Sequence, residues 1–315
     1  RFNSKFGQQL WISGNTEELG NSDPAKALLM DYLNEEFWQA DIEIKRKDLP
    51  ENISYKYILK NEDGETLYEW GNDRCLNLLK KDFQEIQMMD VWNHAGEYEN
   101  VFFTAPFNEV LLKSGQVKSK DYSDKEDTHM FKIKAPLLKN NEVICLLGSD
   151  AKLSEWLKDE PVLLQKKNNW WSVKMDMSEA VFPIAYKYGV FDTKQKKFIR
   201  YEDGNNRLLL KNTAKKKLTI LHDGFIHLPN NTWKGAGVAI PVFSLRSKNS
   251  FGVGEFTDIK LLADWANATD LKLIQILPVN DTTATHTWKD SYPYASISAF
   301  ALHPLYINLL KVAGK

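Results

Sequence analysis

The sequence predicts a multidomain chain in which two antiparallel β-sandwiches in tandem are followed by the opening of an α/β domain. Three observations carry that prediction. A block of sequence occurs twice, both copies alternate apolar and polar residues at period two, and after about residue 220 the alternation gives way to continuous apolar runs flanking a helical period. Tyr55-Lys56-Tyr57 followed by Tyr68-Glu69-Trp70-Gly71-Asn72-Asp73-Arg74 returns as Tyr186-Lys187-Tyr188 followed by Tyr201-Glu202-Asp203-Gly204-Asn205-Asn206-Arg207. Upstream, 38–44 pairs with 171–177, and the turn 14–22 pairs with the equally long turn 148–156. Four matches in the same order mean two copies of one folding unit.

Within the first copy, Trp38, Ala40, Ile42 and Ile44 share one face while Gln39, Asp41 and Glu43 share the other; in the second, Trp171, Val173, Met175 and Met177 oppose Ser172, Lys174 and Asp176. Strands of this kind are half buried, as in antiparallel sandwiches, which places Trp38 and Trp171 in the core. Further short runs at 10–13, 54–59, 101–104, 143–147 and 185–190 are separated by Gly, Asn and Asp clusters at sandwich rhythm, with a hairpin signal at Glu62-Asp63-Gly64. The sandwiches are expected at about 1–120 and 128–210, joined by a charged linker at 113–127. After the lysine-rich 211–217, the run 237–243 reads as a strand buried on both faces. Thr257 caps a helix whose Ile259, Leu262, Trp265 and Ala266 form one stripe, and 271–279 reads as a second continuous apolar strand. Strand, helix, strand with apolar strands predicts a parallel βαβ unit in about 220–315.

Composition narrows the partners. Lys plus Arg number 41 against 42 Asp plus Glu in 315 residues, without a basic stripe, so nucleic acid and anionic membranes are not expected partners. The lysine runs at 194–197 and 215–217 read as solvated turn and linker. Cys75 and Cys145 fall at unrelated positions of the two copies, against a disulfide framework and in favour of a reducing cytoplasm. No signal peptide or apolar spanning run is apparent, and a chain running from Arg1 to Lys315 reads as cut from a longer one. No cofactor or metal is expected, since six His and two Cys form neither a ligand cluster nor a phosphate loop. Aromatic residues make up 12% of the chain. Flat rings beside amides, Lys or Glu suit sugars, whose faces are apolar and whose rims carry hydroxyls. Trp70, at a turn after the hairpin signal, fits either a core residue or such a platform.

The pattern Phe6-Gly7, Trp11-Ile12-Ser13-Gly14, Glu18-Leu19-Gly20-Asn21, Trp38, Tyr55-Lys56-Tyr57 and Glu69-Trp70 resembles the starch-binding domain of carbohydrate-binding module family 20. The resemblance implies α-1,4-glucan or maltooligosaccharide binding at one site made by two Trp platforms and a Lys, and at a second made by aromatic residues on another loop. Carried over, the first site falls on Ser22, Lys56 and Trp70 in copy one and on Trp156, Lys187 and Asp203 in copy two, so each copy lacks one platform. The second site falls on Phe6 and Tyr32 of copy one, with no counterpart in copy two. Read from alternation alone, Lys56 and Lys187 are ordinary solvent-facing strand residues.

A second resemblance covers the C-terminal part. Gly235 to Arg246, Phe251-Gly252-Val253-Gly254-Glu255-Phe256-Thr257-Asp258, Leu277-Pro278-Val279-Asn280-Asp281-Thr282, Asp290-Ser291-Tyr292-Pro293-Tyr294 and His303-Pro304 are similar to the start of glycoside hydrolase family 77. That family comprises 4-α-glucanotransferases on a (β/α)8 barrel, so the fold class implied is two antiparallel β-sandwich starch-binding domains followed by an incomplete barrel. Sites of such barrels lie at the C-terminal ends of the strands; by resemblance Tyr294 touches sugar, and Asn280 and Asp290 shape the same floor, the alternatives being loop hydrogen bonding and strand capping. Retaining transglycosylation needs two carboxyls about 5–5.5 Å apart, which the family takes from strands beyond the third. Glu255, Asp258, Asp281 and Asp290 match no catalytic motif, and Asp258 suits a helix start. No catalytic residue is assigned, the 315-residue chain is expected to be inactive, and the other reading is a non-catalytic α-glucan-binding scaffold.

Overall fold

The computed structural model describes residues 1–77, 83–112, 127–210, 217–229 and 232–314. Of the two stretches expected as linkers, 113–126 and 211–216 lie outside the described residues. The chain divides into two compact units, Arg1–Asn231 and Thr232–Lys315. Among the described residues no helix is long and apolar enough to cross a membrane.

In the first copy, strands β1 (Gln9–Gly14), β2 (Leu28–Leu29), β3 (Asp31–Asn34), β4 (Phe37–Gln39), β5 (Asn52–Lys60), β6 (Thr66–Tyr68), β7 (Arg74–Asn77) and β8 (Glu85–Asp90) follow in order. In the second come β9 (His129–Lys134), β10 (Glu142–Gly148), β11 (Val162–Leu163), β12 (Gln165–Lys167), β13 (Trp170–Met175), β14 (Ile184–Asp192), β15 (Lys197–Tyr201), β16 (Arg207–Leu209) and β17 (Lys217–Phe225). The repeat is visible in the pairing. One sheet runs β2-β1-β5-β6 with β7 also on β5, and another runs β11-β10-β14-β15 with β16 also on β14. Even the register matches: Ser13 faces Lys56 and Gly14 faces Tyr55, as Leu147 faces Lys187 and Gly148 faces Tyr186. The two glycines are required by close approach, because a Cβ at Gly14 meets the Ser54 carbonyl at 2.5 Å and one at Gly148 meets that of Ala185 at 2.6 Å.

A further sheet, β12-β13-β9-β17-β8, joins the copies: β17 pairs parallel with β9 on one side and with β8 of the first copy on the other. Thus β17, which begins before residue 220, belongs to the first compact unit. The main core lies between this sheet and the β10/β14 sheet, where Phe131, Ile133, Ile144, Leu146, Ile184, Tyr186, Tyr188 and Leu221 are fully buried and Trp171 is 7% exposed. Burying one such side chain contributes roughly 1.5–3 kcal/mol. Trp38 is half-buried, packed against Leu10, Met30 and Leu59.

Several local expectations are corrected. Of the 38–44 run only Trp38 and Gln39 lie in a ladder, as the end of β4, so Ala40 to Ile44 carries the alternation without strand partners. The run 101–104 is the end of a 3-10 helix, Tyr98–Phe103, capped at Thr104; four apolar residues cannot by themselves distinguish a strand from a tight turn. In the second unit, β18 (Gly237–Ile240) and β19 (Leu273–Ile276) pair parallel around helix α1 (Phe256–Ala268), the expected βαβ order. Yet both strands alternate exposed and half-buried residues, because a two-stranded sheet with one helix has one uncovered face. The helix cap is Glu255, two residues earlier than Thr257, in a capping box with Asp258; Trp265 is 49% exposed, off the buried stripe of Leu262 and Ala266.

Candidate functional site

The Tyr-Lys-Tyr segments sit on the central strands β5 and β14, and alternation sends the tyrosines inward and the lysine outward. Inside, Tyr55 and Tyr57 donate to one Asp90 oxygen at 2.7 and 2.9 Å, and Tyr186 and Tyr188 donate to one Asp223 oxygen at 3.0 and 2.9 Å. Arg74 reaches Asp90 at 3.2 Å and forks onto Glu69; Arg207 reaches Asp223 at 3.4 Å and forks onto Glu202 at 3.0 and 2.8 Å. Burial works against ionised Asp90, but the Arg74 guanidinium, the His222 hydrogen bond and the tyrosine hydroxyls hold its pKa well below the usual carboxylate range. These carboxylates are structural ions, spent on tying the turn that follows β6 or β15 to the last strand of each copy.

On the outer face, each lysine is tied to that same turn. Lys56 Nζ lies 3.0 Å from the Asp73 carboxylate, three residues after Trp70, and Lys187 Nζ donates to the Gly204 carbonyl at 2.6 Å, one residue after Asp203. Trp70 is half-buried and its backbone is clamped: its N–H donates to the Asn93 carbonyl at 3.0 Å and its carbonyl accepts from Asn93 Nδ2 at 3.3 Å. The remaining position of the three-residue pattern sits in a run of left-handed residues. Asn21 and Ser22 have φ of 53° and 62° after Gly20 at 80°, and Ser154, Glu155 and Trp156 have φ of 62°, 46° and 66°. Trp156 is half-buried, its ring centroid 6.4 Å from that of Tyr201 at 70°. In copy two the structure therefore brings Trp156, Lys187 and the Asp203 turn to one face; in copy one it brings Lys56 and the Trp70 turn together, with an exposed Ser22 at the third position.

Phe6 and Tyr32 are exposed at 101% and 56%. Tyr32 meets the Trp38 ring edge-on at 5.5 Å, and the Trp38 indole donates at 3.2 Å to Ser4, two residues before Phe6 in sequence. The cleft of about 1680 Å3 within the first sandwich is walled by Leu10, Ile12, Trp38, Ile44 and Met88, and Phe6, Tyr32, Lys56 and Trp70 stand outside it. In the second unit, Tyr294 is 60% exposed and its ring lies 5.5 Å from that of Tyr292. Asn280 donates to the Ala299 carbonyl at 2.9 Å. Asp290 accepts from the Thr285 hydroxyl at 2.7 Å and backbone at 3.1 Å, contacts that lower its pKa. Asp281 likewise accepts from the Thr283 hydroxyl at 2.6 Å, and Glu255 and Asp258 are spent on the helix cap. Among the described residues no group of three or more His, Cys, Asp or Glu converges as a metal site.

Asn93, Asp90 and Asp223 were not among the sequence-derived candidates. The two aspartates lie at the same repeat offset as Tyr68 and Tyr201, so extending the self-comparison downstream finds them.

The starch-binding domain family matches residues 1–85 and 129–220, together more than half of the chain, and the 4-alpha-glucanotransferase family, glycoside hydrolase family 77, matches 240–315. The rice (Oryza sativa subsp. japonica) protein called 4-alpha-glucanotransferase DPE2 is 28% identical over 97% of this chain and 33% of its own length. A 4-alpha-glucanotransferase of Chlamydia caviae is 45% identical over 73 residues, 23% of this chain and 13% of its own. The chain thus spans about a third or less of these relatives. Among solved structures, the family 20 module of a maltotetraose-forming amylase from Pseudomonas saccharophila aligns with a TM-score of 0.25 and 10% identity, over 30% of this chain and 97% of that one.

Proposed function

The chain belongs to the starch-binding domain family, and from that premise we propose that its two sandwiches bind α-1,4-glucans and maltooligosaccharides on the outer faces of β5 and β14. One observation carries the assignment of residues: in both copies the outward lysine is bound to the turn at the platform position, Lys56 through Asp73 and Lys187 through Gly204. Trp70 is the platform of copy one and Trp156 that of copy two, on the outer faces that carry Lys56 and Lys187, with Phe6 and Tyr32 forming a second contact on copy one. An aromatic stack contributes about 0.5–1.5 kcal/mol beyond its area, so a copy with one platform binds weakly.

The match over 240–315 supports reading the second unit as the start of a glucanotransferase (β/α)8 barrel, with Tyr294, Asn280 and Asp290 on its sugar-facing floor. The whole protein then transfers α-1,4-glucan chains between sugars by a retaining mechanism, and this reading is favoured over a glucan-binding scaffold. With Glu255, Asp258, Asp281 and Asp290 committed to caps and turns, the 315 residues bind glucan without disproportionating it. Free Cys75 and Cys145 are consistent with a reducing, cytoplasmic setting.

The test is titration calorimetry with β-cyclodextrin. Trp70→Ala and Trp156→Ala each weaken binding about 2- to 10-fold, and the double variant loses most of it; a double variant that binds like the parent refutes the site. Maltotriose incubated with the chain yields no glucose or longer products, and a product pattern abolished by a point substitution within these residues overturns that part.

A further inference from the structure

We propose that Tyr201 is the second aromatic glucan contact of copy two, standing in for the platform that Asp203 does not supply, with the Lys158 ammonium over its ring. This inference rests on the glucan-binding reading of that face. Strand β15 ends at Tyr201, and Glu202 turns inward, 4% exposed and bonded to Arg207. A two-residue step therefore puts Tyr201 on the same outer face as Asp203. Register agrees: Tyr201 lies opposite Gly189, which is two residues from Lys187 on that side of β14.

Three further features mark the spot. The Trp156 and Tyr201 rings meet edge-on at 70°, and both stay half-buried where they pack on Cys145, Leu147 and Phe191, so they form a corner at the rim of that outer-face cluster. Trp156 is held there at φ 66°, a left-handed conformation unusual for a bulky residue, at the end of three such residues in succession. Backbone strain of this kind persists where the surrounding structure over-determines it, commonly at ligand contacts. Finally, Lys158 Nζ stands over both rings, 5.4 Å from the Tyr201 centroid and 5.6 Å from that of Phe198, a cation–π contact that also places a hydrogen-bond donor beside the aromatic surface. Tyr201 rests on Phe198 with centroids 4.6 Å apart yet stays half-buried. Its phenol hydroxyl has no hydrogen-bond partner among the described residues. In copy one the matching Tyr68 is 51% exposed, but Ser22 offers no ring to complete the corner.

The experiment isolates copy two by working in a chain that carries Trp70→Ala together with Phe6→Ala and Tyr32→Ala. Tyr201→Leu keeps apolar bulk but removes the flat ring, and it is expected to weaken β-cyclodextrin about 2- to 10-fold, while Tyr201→Phe retains most of the affinity. A second readout excludes a role confined to propping Trp156: with native Tyr201, saturating β-cyclodextrin protects it from nitration, measured on the tryptic peptide 201–207, which holds no other tyrosine. Unchanged affinity in Tyr201→Leu, or nitration indifferent to ligand, overturns the proposal. If Trp156→Ala in the same background also binds undiminished, the glucan-binding reading of copy two falls with it.

Discussion

His129 lies fully buried between Phe131 and Phe182, with ring centroids 6.4 and 6.1 Å away. Burial pushes its pKa down to about 4, against the pull of the Asp176 carboxylate. Unfolded histidine titrates near ~6.5, so between those values the folded chain binds fewer protons than the unfolded one. The stability this contributes is complete above about pH 6.5 and is lost as pH falls towards 4, on the order of 3 kcal/mol. His222, depressed by burial despite its hydrogen bond to Asp90, acts with the same sign, and Asp90, also depressed, extends the loss below about pH 4. Urea unfolding followed from pH 7 to 4.5 is expected to show a falling midpoint. His129→Phe, which keeps a ring between the two phenylalanines, is expected to flatten the upper part of that fall. A variant profile as steep as the parent's assigns the dependence to other groups.

At the level of elements, what was legible in the sequence follows from what leaves a periodic trace. The repeated Tyr-Lys-Tyr strands, the hairpin turn closed by Asn61 and Glu65 and the parallel strand, helix, strand order were all readable, because each is written in alternation or in turn residues. Ala40 to Ile44 alternates without a ladder, since alternation records which side is apolar and not whether a neighbouring strand exists. The Asp90 and Asp223 networks were missed for the opposite reason: a buried carboxylate on a strand looks like an ordinary outward polar residue until its tyrosine and arginine partners are placed. The outward lysines were readable by motif, while their ties to the turns, and Tyr201's corner with Trp156, needed coordinates. Helix α1 shows the same limit at its start. Glu255 is 2% exposed, caps the helix with Asp258, accepts from the Phe251 N–H at 3.1 Å and bonds Asn308. Glu255→Ala removes a cap worth about 1 kcal/mol and leaves buried donors without acceptors at about 1–3 kcal/mol. Hydrogen exchange is expected to speed up across 256–268 while the sandwich strands keep their protection; unchanged exchange in that helix contradicts the role.

For the first unit as a whole, the consequence lies in how the two copies are joined. Because β8 of the first copy lies in the sheet that also carries β9 and β17 of the second, the copies are linked by a shared ladder as well as by chain. On the proposed reading of both outer faces, the effective concentration of one glucan site at the other is then set by fixed geometry instead of by linker length. Two one-platform sites, each weak towards a short ligand, gain affinity together only on a chain long enough to reach both. β-Cyclodextrin occupies one site at a time, whereas long amylose can engage two. Trp70→Ala is therefore expected to reduce amylose affinity by a larger factor than β-cyclodextrin affinity measured at copy one, and Trp156→Ala to do the same from the other side. The contrast should shrink as the glucan is shortened, and the length at which it vanishes measures the span between the sites. Equal factors for both ligands at every chain length mean that the rigid arrangement forbids simultaneous engagement and that the copies act independently.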